Sequence, residues 1–370
     1  MKKTRQLVTI GLLATGLVAL YGCSSDAMQE EDGGNNNGNI QPVELKIQTS
    51  VEMARAATEG VVTGDAFAEG DKIIVCASSD KYNIAGNNYA VYEKGSSTWA
   101  IASSTTDKIY LSTEDATVYA VYPSTLTVAH GNGDNIASTT DVSGLTLFEG
   151  TTTGADDNNK IELSASPQTG DIFAAKGEKD YLWATPVENK NATSPTASLK
   201  MNHALAMVSF KFYKESTFPG NGELTKIELE DVAGNSPVVF KTGSATMKLG
   251  TGAITVTGDG SKKLTRFTYN NGTANYTLGT NNTGLPAFSM LVYPITDLNA
   301  DKVQATFTID GVAYPVKLPA ATGNSNSNVW AAGYNTVYTV QMKVKELVVS
   351  VSVEKWKDAT INDGNLTPIQ

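Results

Sequence analysis

An all-β chain of two consecutive β-sandwich domains is what this sequence predicts, on three observations. Apolar residues recur at every second position in short runs, as in Val43-Glu44-Leu45-Lys46-Ile47-Gln48-Thr49-Ser50-Val51, which is the period of a half-buried strand. Asp-Gly, Asn-Gly and Gly-Asn pairs punctuate those runs and supply the tight turns that fold one strand back on the last. No long segment spaces its apolar residues at helical intervals. The 370 residues leave room for two cores. The expected organisation is a signal over 1–22, a flexible tether over 23–42, one sandwich over 43–195 and a second over 196–370.

Taken in order, Lys2, Lys3 and Arg5 precede an apolar run from Leu7 to Leu20. That run falls short of the ~20 residues a permanent membrane helix needs and has the length of a secretion signal. Leu20-Tyr21-Gly22-Cys23 follows. It resembles a bacterial lipobox, whose cysteine is acylated and becomes the new N-terminus, except that Tyr21 stands where a small residue is usual. The alternative is a plain cleaved signal that leaves Cys23 an exposed thiol. Glu30, Glu31 and Asp32, then Gly33 to Asn39, have no apolar surface to bury and read as a tether. Acidic residues just past the cysteine look like the surface-export signals of Bacteroidetes lipoproteins, although any tether can be acidic.

Past the first strand stands Arg55, one of three arginines in the chain with Arg5 and Arg266. Phe67-Ala68-Glu69-Gly70-Asp71-Lys72-Ile73-Ile74-Val75 reads as a turn feeding a buried strand. Short strands follow at Tyr89 to Tyr92 and Trp99 to Ile101, then Ala116-Thr117-Val118-Tyr119-Ala120-Val121-Tyr122-Pro123. From His130 to Asn159 the chain is rich in Gly, Asn, Asp and Thr and reads as surface loops. Asp134, Asp141, Asp156 and Asp157 lack the spacing of a calcium loop. Asp171 to Ala175 and Tyr181 to Trp183 add short strands, and Asn189 to Pro195 is the expected boundary.

In the second half, Ala206, Val208, Phe210 and Phe212 form an inner strand face, and Ile227 and Leu229 alternate with Lys226, Glu228 and Glu230 on a solvated one. Ile254-Thr255-Val256 precedes a Gly258-Asp259-Gly260 turn. The clearest hairpin joins Val303, Ala305, Phe307 and Ile309 to Val312, Tyr314, Val316 and Leu318 through Asp310-Gly311, a pair that tolerates the positive φ of a tight turn. Tyr338, Val340, Met342 and Val344 face inward on the next strand. The last, Leu347 to Val353, puts Leu347, Val349, Val351 and Val353 on one face, repeating Val43, Leu45, Ile47 and Thr49.

The Gly70-Asp71-Lys72-Ile73 turn, the Trp99 strand and the Ala116 to Pro123 strand resemble the N-terminal domain of the fimbrillin-like (Mfa-like) lipoproteins of Bacteroidetes, fimbrillin superfamily. Leu199 to Ala206 resembles the junction at which that family begins its C-terminal domain. The resemblance implies transthyretin-like sandwiches and a subunit or tip component of a fimbrium (pilus). It also implies lipid anchoring (palmitate) to the outer membrane through Cys23, and other fimbrial subunits as partners in adhesion and biofilm formation. In that family a trypsin-like or arginine-specific protease removes the first strand and a neighbour's C-terminal strand replaces it. By resemblance the cut falls between Arg55 and Ala56, the strand removed carries Val43, Leu45, Ile47 and Thr49, and the donor carries Leu347, Val349, Val351 and Val353. The alternatives are an ordinary linker arginine and a final strand kept in its own domain, as in a capping tip.

Strand replacement is sound physics, because a missing strand exposes an apolar groove and unpaired backbone groups that a strand of matching period refills. A head-to-tail supply does not close and builds a filament. Catalysis finds less support. The two histidines are His130 and His203, no Gly-x-Ser-x-Gly elbow is present, and no His, Cys or carboxylate spacing marks a metal site. No cofactor is expected. The net charge of −10 argues against nucleic acid and anionic membrane surfaces. Cys76, in an apolar run, reads as a small buried hydrophobe. The other function considered is a surface lipoprotein that binds polysaccharide through Trp99, Trp183, Trp330 and Trp356 if these lie exposed in one plane.

Overall fold

Short alternating runs bounded by turn residues form strands, and among the described residues every regular element is a strand. The computed structural model describes residues 41–51, 55–56, 62–63, 67–79, 88–102, 108–129, 136–146, 172–173, 180–231, 245–256, 263–268, 276–295, 303–319, 330–344, 346–355, 359–362 and 365–368. The signal, tether residues 23–40 with Cys23, His130, Asp134, Asp156, Asp157 and Trp356 lie outside them.

The first sheet has eight strands. Its order runs Lys46–Val51, Thr196–His203, Leu182–Ala184, Ala116–Tyr122, Lys72–Ser78, Tyr89–Lys94, Trp99–Ile101, with Val187–Lys190 also paired to Ala116–Tyr122. Ile73, Val75, Val118, Ala120 and Leu182 point into one core with Leu45, Ile47 and Leu199. Ile74, Cys76, Tyr119 and Val121 point the opposite way into another. Burial on both faces explains why Ile73-Ile74-Val75-Cys76-Ala77 is continuously apolar.

A second sheet orders Ile172–Phe173, Ala287–Val292, Ala206–Lys214, Tyr334–Met342 and Leu347–Lys355. It packs on a sheet that orders Lys263–Thr268, Glu223–Asp231, Val303–Ile309 and Val312–Lys317. The sandwich core is aromatic: the Phe307 ring sits edge-on to Phe210 at 5.3 Å and to Phe212 at 5.0 Å between centroids. The Asp310-Gly311 turn has the expected positive φ angles, 51° and 76°. The Asp310 carboxylate also accepts the Gly222 and Glu223 N–H groups, at 2.9 Å each, and so ties this turn to the start of the neighbouring strand.

Three expectations are corrected. Thr196–His203, placed in the second half by the boundary expected at Asn189 to Pro195, pairs with Leu182–Ala184 and Lys46–Val51, because Ala197, Leu199 and Met201 complete the first core. The first sheet therefore extends past the expected 195/196 boundary, to His203. Asp141–Leu145 is a strand and not a loop. It and Thr127–Val128 join Ala245–Lys248 and Ile254–Val256 in a four-stranded sheet drawn from both halves of the chain. Its Val142, Leu145 and Met247 share a core with Leu205, Met207 and Tyr293. Glu228, expected on a solvated face, is only 7% exposed and pairs with Lys226 at 2.8 Å.

The bridging sheet turns at Gly252, whose φ is +64°. A Cβ there would run into the indole of Trp183. Gly252→Ala therefore combines left-handed strain with overpacking and is expected to lower unfolding free energy by about 2 kcal/mol. Urea titration followed by tryptophan emission checks this.

Candidate assembly site at the first strand

Alternation sends Leu45, Ile47 and Val51 inward, and their residual exposures are 1%, 6% and 5%. Thr49, on the same face, is half-buried. The backbone runs parallel to Thr196–Met201, in register from Lys46↔Thr196 to Val51↔Met201, and forms the outermost strand of the sheet path. At its start the segment has a neighbour on both sides. Val43 and Glu44 pair with Leu111 and Tyr110, the Leu45 N–H donates to the Ile109 carbonyl at 2.9 Å, and the Lys46 N–H donates to that of Pro195 at 2.9 Å.

The far end of the same sheet curls round to meet this strand. The Tyr92 hydroxyl donates to the Leu45 carbonyl at 3.0 Å, and the Trp99 indole N–H donates to the Thr49 hydroxyl at 3.0 Å. Burial, with the nearby Glu44 charge, pushes the Tyr92 phenol up, so it stays a donor. Phe67 packs edge-on against both Trp99 and Tyr122, with centroids at 5.2 and 5.4 Å. Asp71 accepts the Ala68 N–H at 2.7 Å and the Tyr122 hydroxyl; burial raises its carboxyl while these two bonds pull it back. The turn and the Tyr-Pro strand that carried the family resemblance thus meet in space. Outside, Lys108 pairs with Glu44 at 2.7 Å, an exposed contact that adds little.

Past Val51, Arg55–Ala56 forms a two-residue antiparallel ladder with Val62–Thr63; the side chains of that ladder lie outside the described residues. Leu347–Lys355 is the outermost strand of the second sheet, antiparallel to Tyr334–Met342 from Met342↔Leu347 to Tyr334↔Lys355. Leu347, Val349 and Val351 pack against the aromatic core, while Val348 is 39% exposed. The two strands with matching faces are therefore terminal strands of different sheets.

The three tryptophans among the described residues do not share an exposed plane. Trp330 is fully buried and donates to the Tyr338 hydroxyl at 3.1 Å, and Trp99 and Trp183 pack on opposite faces of the first sheet. Cys76 is fully buried, which pushes its thiol up and away from the reactive thiolate. Sequence reasoning missed a buried pair: His203 Nδ1 lies 2.8 Å from Asp180 Oδ2, with side chains 1% and 0% exposed. It stands where the chain leaves the first sheet for the second, a place suited to holding that crossing. Sequence spacing gave no sign of it, because Asp180 and His203 stand 23 positions apart.

Fold and site define a class, an all-β sandwich protein whose first core is completed by its own leading edge strand. Within that class the chain belongs to the fimbrillin-like family, whose sequence model matches residues 55–356. No curated protein matches the sequence. Solved structures with a similar fold include a protein designated as a cell adhesion protein from Bacteroides ovatus, with TM-score 0.54, 15% identity and coverage of 87% of this chain and 100% of that one. Another so designated, from Bacteroides uniformis, gives 0.52, 17%, 85% and 99%. A fimbrial protein from Bacteroides vulgatus gives 0.51, 14%, 85% and 100%.

Three buried side chains at about 1.5–3 kcal/mol each give the leading strand on the order of 6 kcal/mol before ordering costs. Ile47→Ala is expected to lower unfolding free energy by about 2–3 kcal/mol, whereas Gln48→Ala on the exposed face changes it by less than about 0.5 kcal/mol. Chemical denaturation of the two variants side by side makes the comparison.

Proposed function

We propose that the protein is a structural subunit or tip component of a cell-surface fimbrium, assembled by protease-triggered strand exchange and working in adhesion and biofilm formation. It is exported as an outer-membrane precursor acylated on Cys23. Cutting between Arg55 and Ala56 frees residues 43–55, and a neighbouring subunit's strand fills the place left by Val43, Leu45, Ile47 and Thr49. The protein acts through assembly and not through catalysis.

The observation that carries this reading is the placement of Lys46–Val51. It is an outermost strand, it supplies Ile47 and Val51 to the first core with Leu45 just before it, and Arg55 stands four positions beyond its end. Losing it would leave a groove lined by Leu111, Leu199 and Met201 beside the unpaired edge of Thr196–Met201. The family match beginning at residue 55 supports treating what precedes as separable. For Leu347–Val353 to be donated, Leu347, Val349 and Val351 must leave the second core. A subunit that keeps this strand instead ends the fibre.

N-terminal sequencing of protein recovered from shed filaments tests the proposal. Chains beginning at Ala56 are expected, and Arg55→Ala is expected to leave the precursor uncut and outside the filaments. Intact acylated Cys23 on filament subunits overturns the processing step.

A further inference from the structure

Two side chains from the far end of the first sheet reach the leading strand, and they ask different things of it. Tyr92 donates to the Leu45 carbonyl at 3.0 Å, and a backbone oxygen is something any strand supplies. Trp99 donates to the Thr49 hydroxyl at 3.0 Å, and only some side chains can accept there. Both side chains are half-buried, and an indole N–H is a donor with no acceptor role, so an apolar side chain opposite removes the protein acceptor that holds it. Phe67, packed edge-on against Trp99 and itself against Tyr122, restrains the ring. The three neighbouring inward positions, held by Leu45, Ile47 and Val51, are buried and apolar.

We propose that Trp99 is a specificity-determining residue for whatever strand occupies this edge: a replacement must read apolar, apolar, hydroxyl, apolar at alternate positions, with the hydroxyl where Thr49 sits. This rests on the strand-exchange reading above. The protein's own final strand does not meet the rule. With Leu347, Val349, Val351 and Val353 inward, valine falls at the Thr49 position in either direction. Sliding by two residues puts valine there, or Leu347 in one reversed register. Turning the strand over brings Ser350 or Ser352 to that position, but only by burying a serine or a glutamate where Leu45, Ile47 or Val51 sits. The partner that fills this groove is therefore a different subunit with a hydroxyl-bearing donor strand, and a second copy of this chain is a poor one.

The test has two arms. In the intact full-length chain, hydrogen exchange of the Lys46–Val51 amides is compared among wild type, Thr49→Val, Thr49→Ser, Trp99→Phe and the Thr49→Val/Trp99→Phe double variant. Thr49→Val is expected to speed exchange about five- to thirtyfold, the range for one orphaned donor. Thr49→Ser stays near wild type, and Thr49→Val adds little once Trp99 is Phe. In wild-type protein cut after Arg55, synthetic peptides of residues 43–51, the same with Thr49→Val, and residues 345–353 compete for the vacated edge, followed by intact mass. The first is expected to bind about five- to thirtyfold tighter than the second, and the third no better than the second. Equal binding of the first two, tightest binding of the third, or an additive mutant cycle overturns the Trp99 assignment. Coupling in the intact chain with no peptide taken up overturns strand exchange instead, and the replacement rule with it.

Discussion

One ladder governs this molecule, the parallel pairing of Lys46–Val51 with Thr196–Met201. Its two strands are about 150 positions apart in sequence, so the loop that closes them includes nearly the whole first sheet. Apolar burial holds it, since Leu45, Ile47 and Val51 meet Ala197, Leu199 and Met201 in one core. A parallel pair is slightly weaker per residue than an antiparallel one. The leading strand is thus both essential to the core and joined to the rest by one of the weaker kinds of sheet contact.

A second constraint comes from the sheet that draws on both halves of the chain. Asp141–Leu145 pairs with Ala245–Lys248, and the core beneath takes Ile74 and Val121 from the first sheet, Leu205 from the crossing, and Met207 and Leu291 from the second. Ile172–Phe173 also runs parallel to Ala287–Val292. Shared cores of this kind couple the halves, because a volume change on either side is felt in the same packed space. The buried Asp180–His203 pair stands at the crossing, where an unpaired charge would be expensive. A force applied to the leading strand would therefore be borne by the first sheet and passed to the second through side chains already in contact.

Much of this was legible in the residues. Alternation alone gave the strands at Val303–Ile309 and Leu347–Lys355, and Asp310-Gly311 gave its turn. Alternation fixes which face a side chain takes, but it does not name the partner strand. Thr196–His203 was accordingly read into the wrong half. Asp141–Leu145 escaped notice because Gly144, at φ +91°, sits at a register shift that breaks the period between Val142 and Leu145. Glu228 looked solvated because its neighbours alternate with apolar residues, yet its strand lies between Lys263–Thr268 and Val303–Ile309 and its carboxylate is covered. At the site, the inward face of Leu45, Ile47 and Thr49 could be read. The reach of Trp99 across the curled sheet could not, since fifty positions separate it from Thr49.

The two terminal strands with matching faces differ in how they are held, and the difference has a direction. Leu347–Lys355 is antiparallel to a strand only a short turn away, with nine residue pairs in register, so little chain entropy opposes its return to its own sheet. Lys46–Val51 has six residue pairs, a parallel ladder and a distant partner. On the proposed cut behind it, nothing covalent would favour its return. The proposed exchange needs this asymmetry, an acceptor edge that can empty and a donor strand that has somewhere to rest until a vacancy appears. The valine-rich inward face at 347–353 suits resting on the aromatic core of Phe210 and Phe307. The leading strand, with a single hydroxyl among its inward residues, suits the edge that Trp99 closes. Similar alternation thus conceals two strands adapted to different seats, and the distinction lies in one donor and one acceptor 3.0 Å apart.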